Sequence, residues 1–435
     1  MMLRGIIVLS LILVTFSGLR AQDSTGSYLL RKIIIEGNKI TRNYVILREL
    51  PFAEGDTVNQ SELKYGRERL YSTGLFTRVS FQPEPVGKRD MDLLIYVEEA
   101  WYIWPYPVVG FQDRDWRHLY FGAGIQDQNF QGREERLAGS FALGYDPFAS
   151  VSFSDPYFGP GRNYTFSAEG SYSYGQNFGV QTGSASGQFR DSFGNLKLEV
   201  GRRFGYYSTL TLGAAFNYVA KDADTTNLVL SPTGTDMFPS LNVSYTYDSR
   251  NLKVFATRGA YVYLALAKYG VGESLVNFGR LSLDASGFLS PSSMLTIAAR
   301  VHANLSEGPR IPPYNHVFLG YNERIRGMFN TVSEGESIVG ANLELRIPII
   351  KQMYFDIPDV PFRQYLSNRI GLYWAFFVDA GETMSKRLNF NNNAALYGYG
   401  GGLCFLLPYD SVVQFDYARG NDRLWEFILD FGVTI

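Results

Sequence analysis

The feature of this sequence that most constrains its fold is a regular alternation of apolar and polar residues, clearest in the C-terminal segment 424–435. Successive side chains of a β-strand point to opposite faces, so this segment predicts a strand with one apolar and one mostly polar or small face. The alternation recurs along roughly three-quarters of the chain, which is typical of a transmembrane β-barrel, apolar toward lipid and polar toward a lumen. The apolar positions of the last segment are Trp425, Phe427, Leu429, Phe431, Val433 and Ile435.

Residues 101–435 are predicted to form this barrel. In one such segment Leu343 and Leu345 occupy odd positions, and Glu344 and Arg346 occupy the even positions between them. The positions with charged side chains are assigned to the lumen, where Glu344 and Arg346 are expected to support contacts. A strand with its turn takes about twenty residues, which predicts about sixteen antiparallel strands, an even number. Aromatic residues make up 15% of the chain, as expected where aromatic girdles meet the membrane interfaces.

The first 21 residues predict a secretory signal peptide. Arg4 supplies a positive charge, residues 6–16 form an apolar core, and residues 19–21 match a cleavage site. The apolar core is too short to span a bilayer as a helix, and no later segment is both long and uncharged enough. A barrel is then the remaining way to cross a membrane with every backbone group satisfied. The formal net charge of −2 gives no reason to expect a nucleic-acid partner.

Residues 28–99 differ in pattern and predict a small soluble α+β domain in the order β-α-α-β-β. A β-branched run at 32–36 predicts the first strand, and apolar spacing of three and four predicts helices at 42–50 and from Asn59 or Ser61 to about Gly74. Two further strands are predicted at 79–82 and 93–98.

The predicted order of the N-terminal elements resembles a polypeptide-transport-associated (POTRA) domain, and residues 70–76 (LYSTGLF) are similar to the end of that domain's second helix. The barrel region resembles the BamA/TamA-type outer-membrane assembly and transport family. The similar segments are, in chain order, 154–158 (SDPYF), 247–250 (YDSR) with 257–259 (TRG), 325–328 (IRGM), 342–346 (NLELR) and 377–381 (FVDAG).

In that family a long extracellular loop carries an Arg-Gly tip into the lumen, where the Arg meets the Asp of a strand motif. The resemblance therefore implies that Arg326 is the loop-tip arginine of segment 307–336 and that Asp379 is its partner. A guanidinium offers a rigid fork of donors to a carboxylate, and Gly327 would let the tip turn. From periodicity alone, Arg326 could equally be solvated in an external loop and Asp379 could merely line the lumen.

The chain departs from the family pattern in three places. Met328 stands where the family prefers an aromatic residue, and Ile435 stands where the last residue is usually Phe. The sequence also contains one POTRA-like domain, whereas the best-known bacterial members have several. This last departure weakens an assignment as the central insertase.

The first barrel strand contains Pro105 and Pro107, which cannot donate to a strand ladder. In a closed barrel this strand must meet the last one, so these prolines with Phe427, Phe431 and Ile435 define a candidate lateral seam that is short of hydrogen bonds. In the alternative interpretation, the prolines precede the paired region and only stiffen the linker from the N-terminal domain.

The resemblance implies a non-enzymatic factor of the bacterial outer membrane, with its N-terminal domain in the periplasm, that assists insertion or transport of unfolded outer-membrane or secreted polypeptides. Candidate partners are these polypeptides, periplasmic chaperones or accessory lipoproteins, and membrane lipid. The alternatives are a passive channel or porin, and a barrel phospholipase that would use Ser306 and His302. No cofactor and no metal site are expected, because no ligand-rich spacing surrounds the three histidines.

Overall fold

The computed structural model describes eleven segments of the chain. The predicted signal peptide and Ile435 lie outside them. The described segments are residues 27–87, 89–111, 118–176, 190–221, 229–272, 274–320, 323–328, 331–354, 369–385, 395–407 and 411–432.

The N-terminal domain is a four-stranded sheet packed against two helices. Its order along the chain is β1 (Tyr28–Glu36), α1 (Asn43–Glu49), β2 (Thr57–Val58), α2 (Gln60–Tyr71), β3 (Phe76–Pro85) and β4 (Asp90–Glu99). The strands lie in the order β2-β1-β4-β3, with β1 parallel to β4, and β3 forms one edge. Strand β2 was not predicted from the sequence, because a two-residue strand leaves no periodic signal.

Local chemistry explains where α2 begins. The side chain of Asn59 accepts from the amide of Glu62, and the side chain of Glu62 accepts from the amide of Asn59, each at 2.9 Å. This reciprocal capping box satisfies two amides that the first helical turn cannot bond internally. Between the two candidate caps from the sequence, the structure selects Asn59. The apolar sides of the helices and of the sheet then form one core that includes Leu70, Leu93 and Ile95.

The rest of the described chain forms a sixteen-stranded sheet in which neighbouring strands are antiparallel and follow chain order. The sheet confirms the predicted fold class and strand number. Its strands are β5 (Ile103–Phe111), β6 (Leu119–Phe130), β7 (Glu135–Gly144), β8 (Phe148–Phe158), β9 (Tyr164–Gln176), β10 (Arg190–Phe204), β11 (Ser208–Lys221), β12 (Thr235–Asp248), β13 (Gly259–Tyr269), β14 (Phe278–Ser292), β15 (Leu295–Glu307), β18 (Ser337–Tyr354), β19 (Arg369–Met384), β20 (Leu396–Leu407), β21 (Ser411–Gly420) and β22 (Trp425–Phe431). A two-stranded hairpin, β16 (Val317–Leu319) and β17 (Ser333–Gly335), lies between β15 and β18, and 3₁₀ turns occur at Pro160–Arg162 and Pro313–Asn315.

The barrel wall shows the predicted division between its two faces. In β18, Leu343 is 47% exposed on the outside, whereas Glu344 is 0% exposed on the inside. The same alternation continues in β19, where Trp374 and Phe376 face outward and Ala375 is buried. An outer surface of large apolar side chains suits lipid, and the polar inner face suits a lumen. None of the helices in the described segments has the length and apolar character needed to span a membrane.

The N-terminal domain is docked against one end of the barrel, called here the docked end. The connections β6–β7, β8–β9, β10–β11 and β12–β13 at this end lie against the domain. The connection β12–β13, residues 249–258, makes several of the contacts and is called the docked-end turn. Side-chain hydrogen bonds across the interface join Thr41 to Asn129, Tyr65 to Ser249, Glu68 to Asn251, Arg69 to Asp248 and Ser72 to Lys253.

A cluster of buried charges lies within this interface. Glu49 of α1 is held by Arg203 at 3.0 Å and by Arg69 at 3.1 Å. Burial alone would raise the pKa of Glu49, but Arg203 and Arg69 outweigh it and hold this pKa below its usual range. Nearby, the hydroxyl of Tyr157 donates to Glu134 at 2.8 Å. Burial, reinforced by the charge of Glu49, raises the pKa of Glu134 and outweighs the opposing charges of Lys253 and Arg136.

The raised pKa of Glu134 predicts that the interface weakens as pH rises. A carboxyl whose folded pKa lies above its unfolded value stabilises the fold fully below the unfolded pKa, and this stability is lost as pH rises through the folded pKa. Glu134→Gln keeps an acceptor for Tyr157 and removes the charge. We expect this variant to lose that part of the pH dependence of thermal unfolding, measured by circular dichroism in detergent from about pH 4 to about pH 8.

The control is Glu36→Gln, which removes an exposed carboxyl of the N-terminal domain away from the interface. It should leave the pH profile of the wild-type chain unchanged. Identical profiles for wild type and Glu134→Gln would contradict the role given to Glu134.

Candidate functional site

The connection between β15 and β18 starts at the end of the barrel away from the N-terminal domain and folds back into the lumen. The hairpin β16–β17 begins this return, and residues 323–328 form its tip. The tip brings an apolar cluster against the inner wall, formed by Leu319, Ile325, Met328 and Ile338. Met328 is therefore a buried packing residue, which accounts for an apolar side chain at this position.

Arg326 at the loop tip is the centre of the site. Its Nε and Nη2 donate to the two carboxylate oxygens of Asp379 on β19 at 2.7 and 2.9 Å. Its backbone amide also donates to Asp379, at 3.2 Å, and its guanidinium lies 3.6 Å from the ring centroid of Phe377. Both Arg326 and Asp379 are buried. The bidentate geometry fixes the orientation of the guanidinium as well as its position.

The network extends along the wall through Glu344 on β18. One oxygen of Glu344 accepts from Nη1 of Arg326 at 2.6 Å, and the other accepts from Nε of Arg346 at 2.6 Å. Arg346 in turn donates to the carbonyl of Ala256 at 3.2 Å and lies 4.1 Å from the ring centroid of Phe255. The four predicted residues Arg326, Asp379, Glu344 and Arg346 therefore form one chain of contacts.

The docked-end turn enters the lumen from the opposite direction. Phe255 is buried against Tyr373, at a centroid distance of 4.8 Å, and belongs to an apolar cluster with Cys404 and other inward residues of β19–β21. Arg369 donates to the carbonyl of Val254 at 3.0 Å. The lumen is thus occupied from both ends, and Arg346 touches both the turn and the network of the loop.

A second ion cluster holds the loop on the other side of its tip. Arg300 of β15 donates to both oxygens of Glu323 in the loop, at 2.9 and 3.0 Å, and to both oxygens of Asp284 at 2.9 Å. Here the loop supplies the carboxylate and the wall supplies the cation, the reverse of Arg326 and Asp379. This pair was not predicted from the sequence, because Glu323 and Arg300 are 23 residues apart and belong to no motif.

Three glycines allow the loop tip to approach the wall. Gly327 has a φ of +91°, and a Cβ there would lie 2.6 Å from the backbone of Arg419. A Cβ on Gly398 of β20 would lie 1.9 Å from the carbonyl oxygen of Arg326. A Cβ on Gly420 of β21 would lie 2.3 Å from the carbonyl oxygen of Gly327. The glycines of β20 and β21 therefore form a side-chain-free recess that receives the tip.

Asp379→Asn is expected to release the loop from the wall. Breaking one partner of a buried ion pair typically costs about 3–5 kcal/mol. That would change the ratio of seated to released loop by more than about a hundredfold. Planar-bilayer conductance measures this change, because a seated loop occupies the lumen and a released loop opens it. We expect frequent high-conductance openings in Asp379→Asn and few in the wild type.

Asp416→Asn is the matched control for Asp379→Asn. Asp416 is also a buried aspartate facing Arg326, but its nearest oxygen is 4.0 Å from the guanidinium, and neither of its oxygens has a hydrogen-bond partner among the described residues. This control should therefore conduct much less than Asp379→Asn. Equal conductance in the two variants would contradict a specific role for the pair of Arg326 with Asp379.

Glu323→Gln is expected to release the loop less strongly than Asp379→Asn. The side chains of Arg300 and Glu323 are partly exposed, and ion pairs near solvent contribute about 1 kcal/mol or less. Conductance should rise by up to about fivefold, and Glu307→Gln, which neutralises an exposed carboxylate at the start of the loop, should change nothing. An effect of Glu323→Gln as large as that of Asp379→Asn would show that the second cluster is the main attachment.

The structure places the predicted seam residues on the two terminal strands of the sheet. Pro105 and Pro107 lie within β5, in register with Ile125 and Ala123 of β6, so they belong to the wall rather than to a linker. Proline is tolerated in a strand where its nitrogen faces away from the partner strand. The nitrogens of Pro105 and Pro107 therefore face the edge of β5 that β6 does not cover, and neither can donate a hydrogen bond there. In the described residues no register joins β5 to β22. Phe427 and Phe431 of β22 are 87% and 76% exposed, and Ile435 lies outside the described residues.

The residues considered for a lipase are not joined in the structure. His302 faces Glu323 at 3.5 Å, whereas Ser306 accepts from Arg280 at 2.9 Å. A serine nucleophile needs the histidine within hydrogen-bond reach, and the described contacts do not provide it. Among the described residues, no group of three or more side chains is arranged to hold a metal ion.

Comparison with known families gives two matches. The profile described as the Omp85 superfamily domain matches residues 129–432. The profile described as POTRA, surface antigen variable number repeat, matches residues 28–100. These matches confirm the resemblance that the loop and strand motifs indicated.

Two curated relatives are both described as outer membrane protein assembly factor BamA. The protein of Nitratidesulfovibrio vulgaris is 24% identical over 319 residues, which cover 68% of this chain and 37% of that protein. The protein of Neorickettsia risticii is 26% identical over 427 residues, which cover 91% of this chain and 53% of that protein. The chain therefore spans about half, or less, of the length of these relatives.

Two solved structures share the fold. BamA from Haemophilus ducreyi lacking POTRA domains 1–3 gives a TM-score of 0.55 at 18% identity, covering 93% of this chain and 84% of that one. CdiB from Escherichia coli gives a TM-score of 0.59 at 14% identity, covering 93% of this chain and 75% of that one. At these identities the likeness concerns the fold of the barrel and its attached domain.

Proposed function

Because this chain belongs to the Omp85 superfamily, we propose that it is an outer-membrane factor that assists the insertion or transport of unfolded polypeptides. Its barrel lies in the bacterial outer membrane with the docked end toward the periplasm. The N-terminal domain receives a client there, and the edge between β5 and β22 opens to template the client's terminal strand. No covalent chemistry is needed at any step.

The observation that carries this proposal is that the two terminal strands, β5 and β22, offer few hydrogen bonds to each other. β22 has seven residues, whereas β18 has eighteen. The two prolines of β5 remove donors from its free edge. Phe427 and Phe431 have β21 on one side, and no described strand covers them on the other. A short edge with few hydrogen bonds costs less to open than any other position in the wall, and an open edge can pair with an incoming strand.

The N-terminal domain offers a first docking position for such a client. Among the described strands, β3 is an edge strand whose one partner is β4. Its residues Val79–Gln82 present backbone groups to which an extended polypeptide can add as a further strand. Clients are therefore unfolded outer-membrane or secreted polypeptides, and periplasmic chaperones or accessory lipoproteins would deliver or retain them.

The rival function is a passive channel. A porin needs a continuous water-filled lumen, whereas here the loop tip and Phe255 occupy the lumen from opposite ends. The pair of Arg326 with Asp379 and the supporting contacts of Glu344 and Arg346 hold the loop in place. The filled lumen favours a factor whose working surface is the seam over one whose working surface is the pore.

A crosslink across the seam tests the proposal. In a Cys404→Ala background, Val109→Cys and Phe427→Cys place one thiol on the outer face of each terminal strand and leave both prolines in place, and a cleavable bismaleimide joins the thiols. Purified chain in liposomes is then given a urea-denatured outer-membrane barrel protein, and folding is scored as protease resistance. We expect the crosslink to reduce client folding to the level of protein-free liposomes, and cleavage of the linker to restore it.

Phe415→Cys with Leu429→Cys is the matched control. These residues are register partners on β21 and β22, and both face outward. Their crosslink joins strands that are already paired, so client folding should be unchanged. Full client folding with the seam crosslinked would contradict the proposed mechanism.

A further inference from the structure

A basic groove runs along the outside of the junction between the N-terminal domain and the barrel. It consists of two adjoining cavities of about 850 and 570 Å³, which share Tyr44, Leu47 and Arg162. Loop 38–44 and helix α1 form one side. The connections β6–β7, β8–β9 and β10–β11 of the barrel form the other side through Arg133, Gly161 and Tyr206.

The charged residues that line this groove are all cations: Lys39, Arg42, Arg48, Arg133 and Arg162. Among the described residues, Arg133 is the one cation of this set whose side chain has a carboxylate within 4.0 Å, namely Glu135 and Asp155. Glu99 approaches the groove loop as well, but it accepts from the backbone amides of Lys39 and Thr41. Arg162 instead lies 3.5 Å from the ring centroid of Tyr44, and Arg48 donates to the side-chain oxygen of Asn163. Burial, together with the charge of Arg203, lowers the pKa of Arg48, as expected where cations outnumber anions.

The groove begins at the level where the lipid-facing surface of the barrel ends. On β10, Leu198, Val200 and Phe204 face outward on one parity, and Arg202 shares this parity near the end of the strand. The guanidinium of Arg202 lies 5.2 Å from the ring centroid of Phe204. An arginine beside aromatic residues at the end of an apolar surface marks the headgroup layer of a membrane. Tyr206, two residues after Phe204, lines the groove.

Exposed apolar side chains lie beside the cations. Ile40 and Leu47 are 55% and 42% exposed and line the groove on the side of the N-terminal domain. A free phosphate would use the cations alone, whereas a phospholipid presents a phosphate next to its acyl chains. Cations and apolar groups together at the headgroup level therefore match a lipid better than a soluble anion.

We propose that this groove binds the phosphate headgroup of an anionic phospholipid in the leaflet facing the N-terminal domain. Lys39, Arg42, Arg48 and Arg162 bind the phosphate, and Ile40 and Leu47 contact the adjoining glycerol and upper acyl chain. The bound lipid neutralises cations that no carboxylate of the groove neutralises, and it connects the N-terminal domain to the membrane beside the barrel. This lipid site goes beyond the proposed handling of polypeptides.

Native mass spectrometry of the delipidated full chain in detergent tests the site, with phosphatidylglycerol and phosphatidylethanolamine titrated as probes. We expect the wild type to bind phosphatidylglycerol about tenfold more tightly than phosphatidylethanolamine. The double variant Arg42→Gln/Arg162→Gln should lower the affinity for phosphatidylglycerol by about tenfold. It should leave the affinity for phosphatidylethanolamine unchanged.

Lys32→Gln/Lys64→Gln is the matched control, because it also removes two cations, both of them exposed residues of the N-terminal domain that do not line the groove. It should bind both lipids like the wild type, and all variants should keep the wild-type circular dichroism spectrum. An equal loss of affinity for phosphatidylglycerol in the control and test variants would overturn the proposed site. So would the absence of any lipid preference in the wild type, or full displacement of the lipid by equimolar glycerol phosphate, which would identify a site for soluble phosphate.

Discussion

A guanidinium buried inside a barrel must be neutralised, and the arrangement of the lumen follows from how Arg326 meets that requirement. Asp379 provides a bidentate partner, and Glu344 provides a second carboxylate that Arg346 balances. Removing water from these charges is costly, so the pairs are stabilising only because nearly every donor and acceptor among them is satisfied. The same requirement brings the loop tip close to the wall, which in turn excludes side chains at Gly398 and Gly420.

The network of Arg326 also reaches the N-terminal domain through shared residues. Arg346 binds the carbonyl of Ala256 in the docked-end turn, and in the same turn the amide of Lys253 donates to Ser72 of the N-terminal domain at 2.7 Å. Contacts therefore run without a break from the loop tip, along the inner wall, to the domain that would receive a client. The N-terminal domain and the network of the loop therefore contact the same turn of the barrel, residues 249–258.

Much of this architecture was predictable, because strand parity and helix caps are local signals. The alternation in β18 predicted which side chains face lipid, and it holds at Leu343 and Glu344. The partnership of Arg326 with Asp379 was predictable only through the family motifs, since 53 residues separate the two. The pair of Glu323 with Arg300 and the burial of Glu49 against Arg203 left no trace in the sequence, because these contacts depend on how distant segments meet in space. Whether the seam works as a gate stays a prediction.

The partners of the loop tip have one further property, which concerns their order along the chain. Glu344, Asp379, Gly398 and Gly420 all follow Arg326 in the chain and lie on β18, β19, β20 and β21 in turn. These four strands follow the tip in the chain, whereas β15, whose Arg300 holds Glu323 of the same loop, precedes it. The seated tip and the last strands therefore depend on each other for order, because Arg326 has its carboxylate partners only once β18 and β19 are in place, and the recess of β20 and β21 is filled only by the tip.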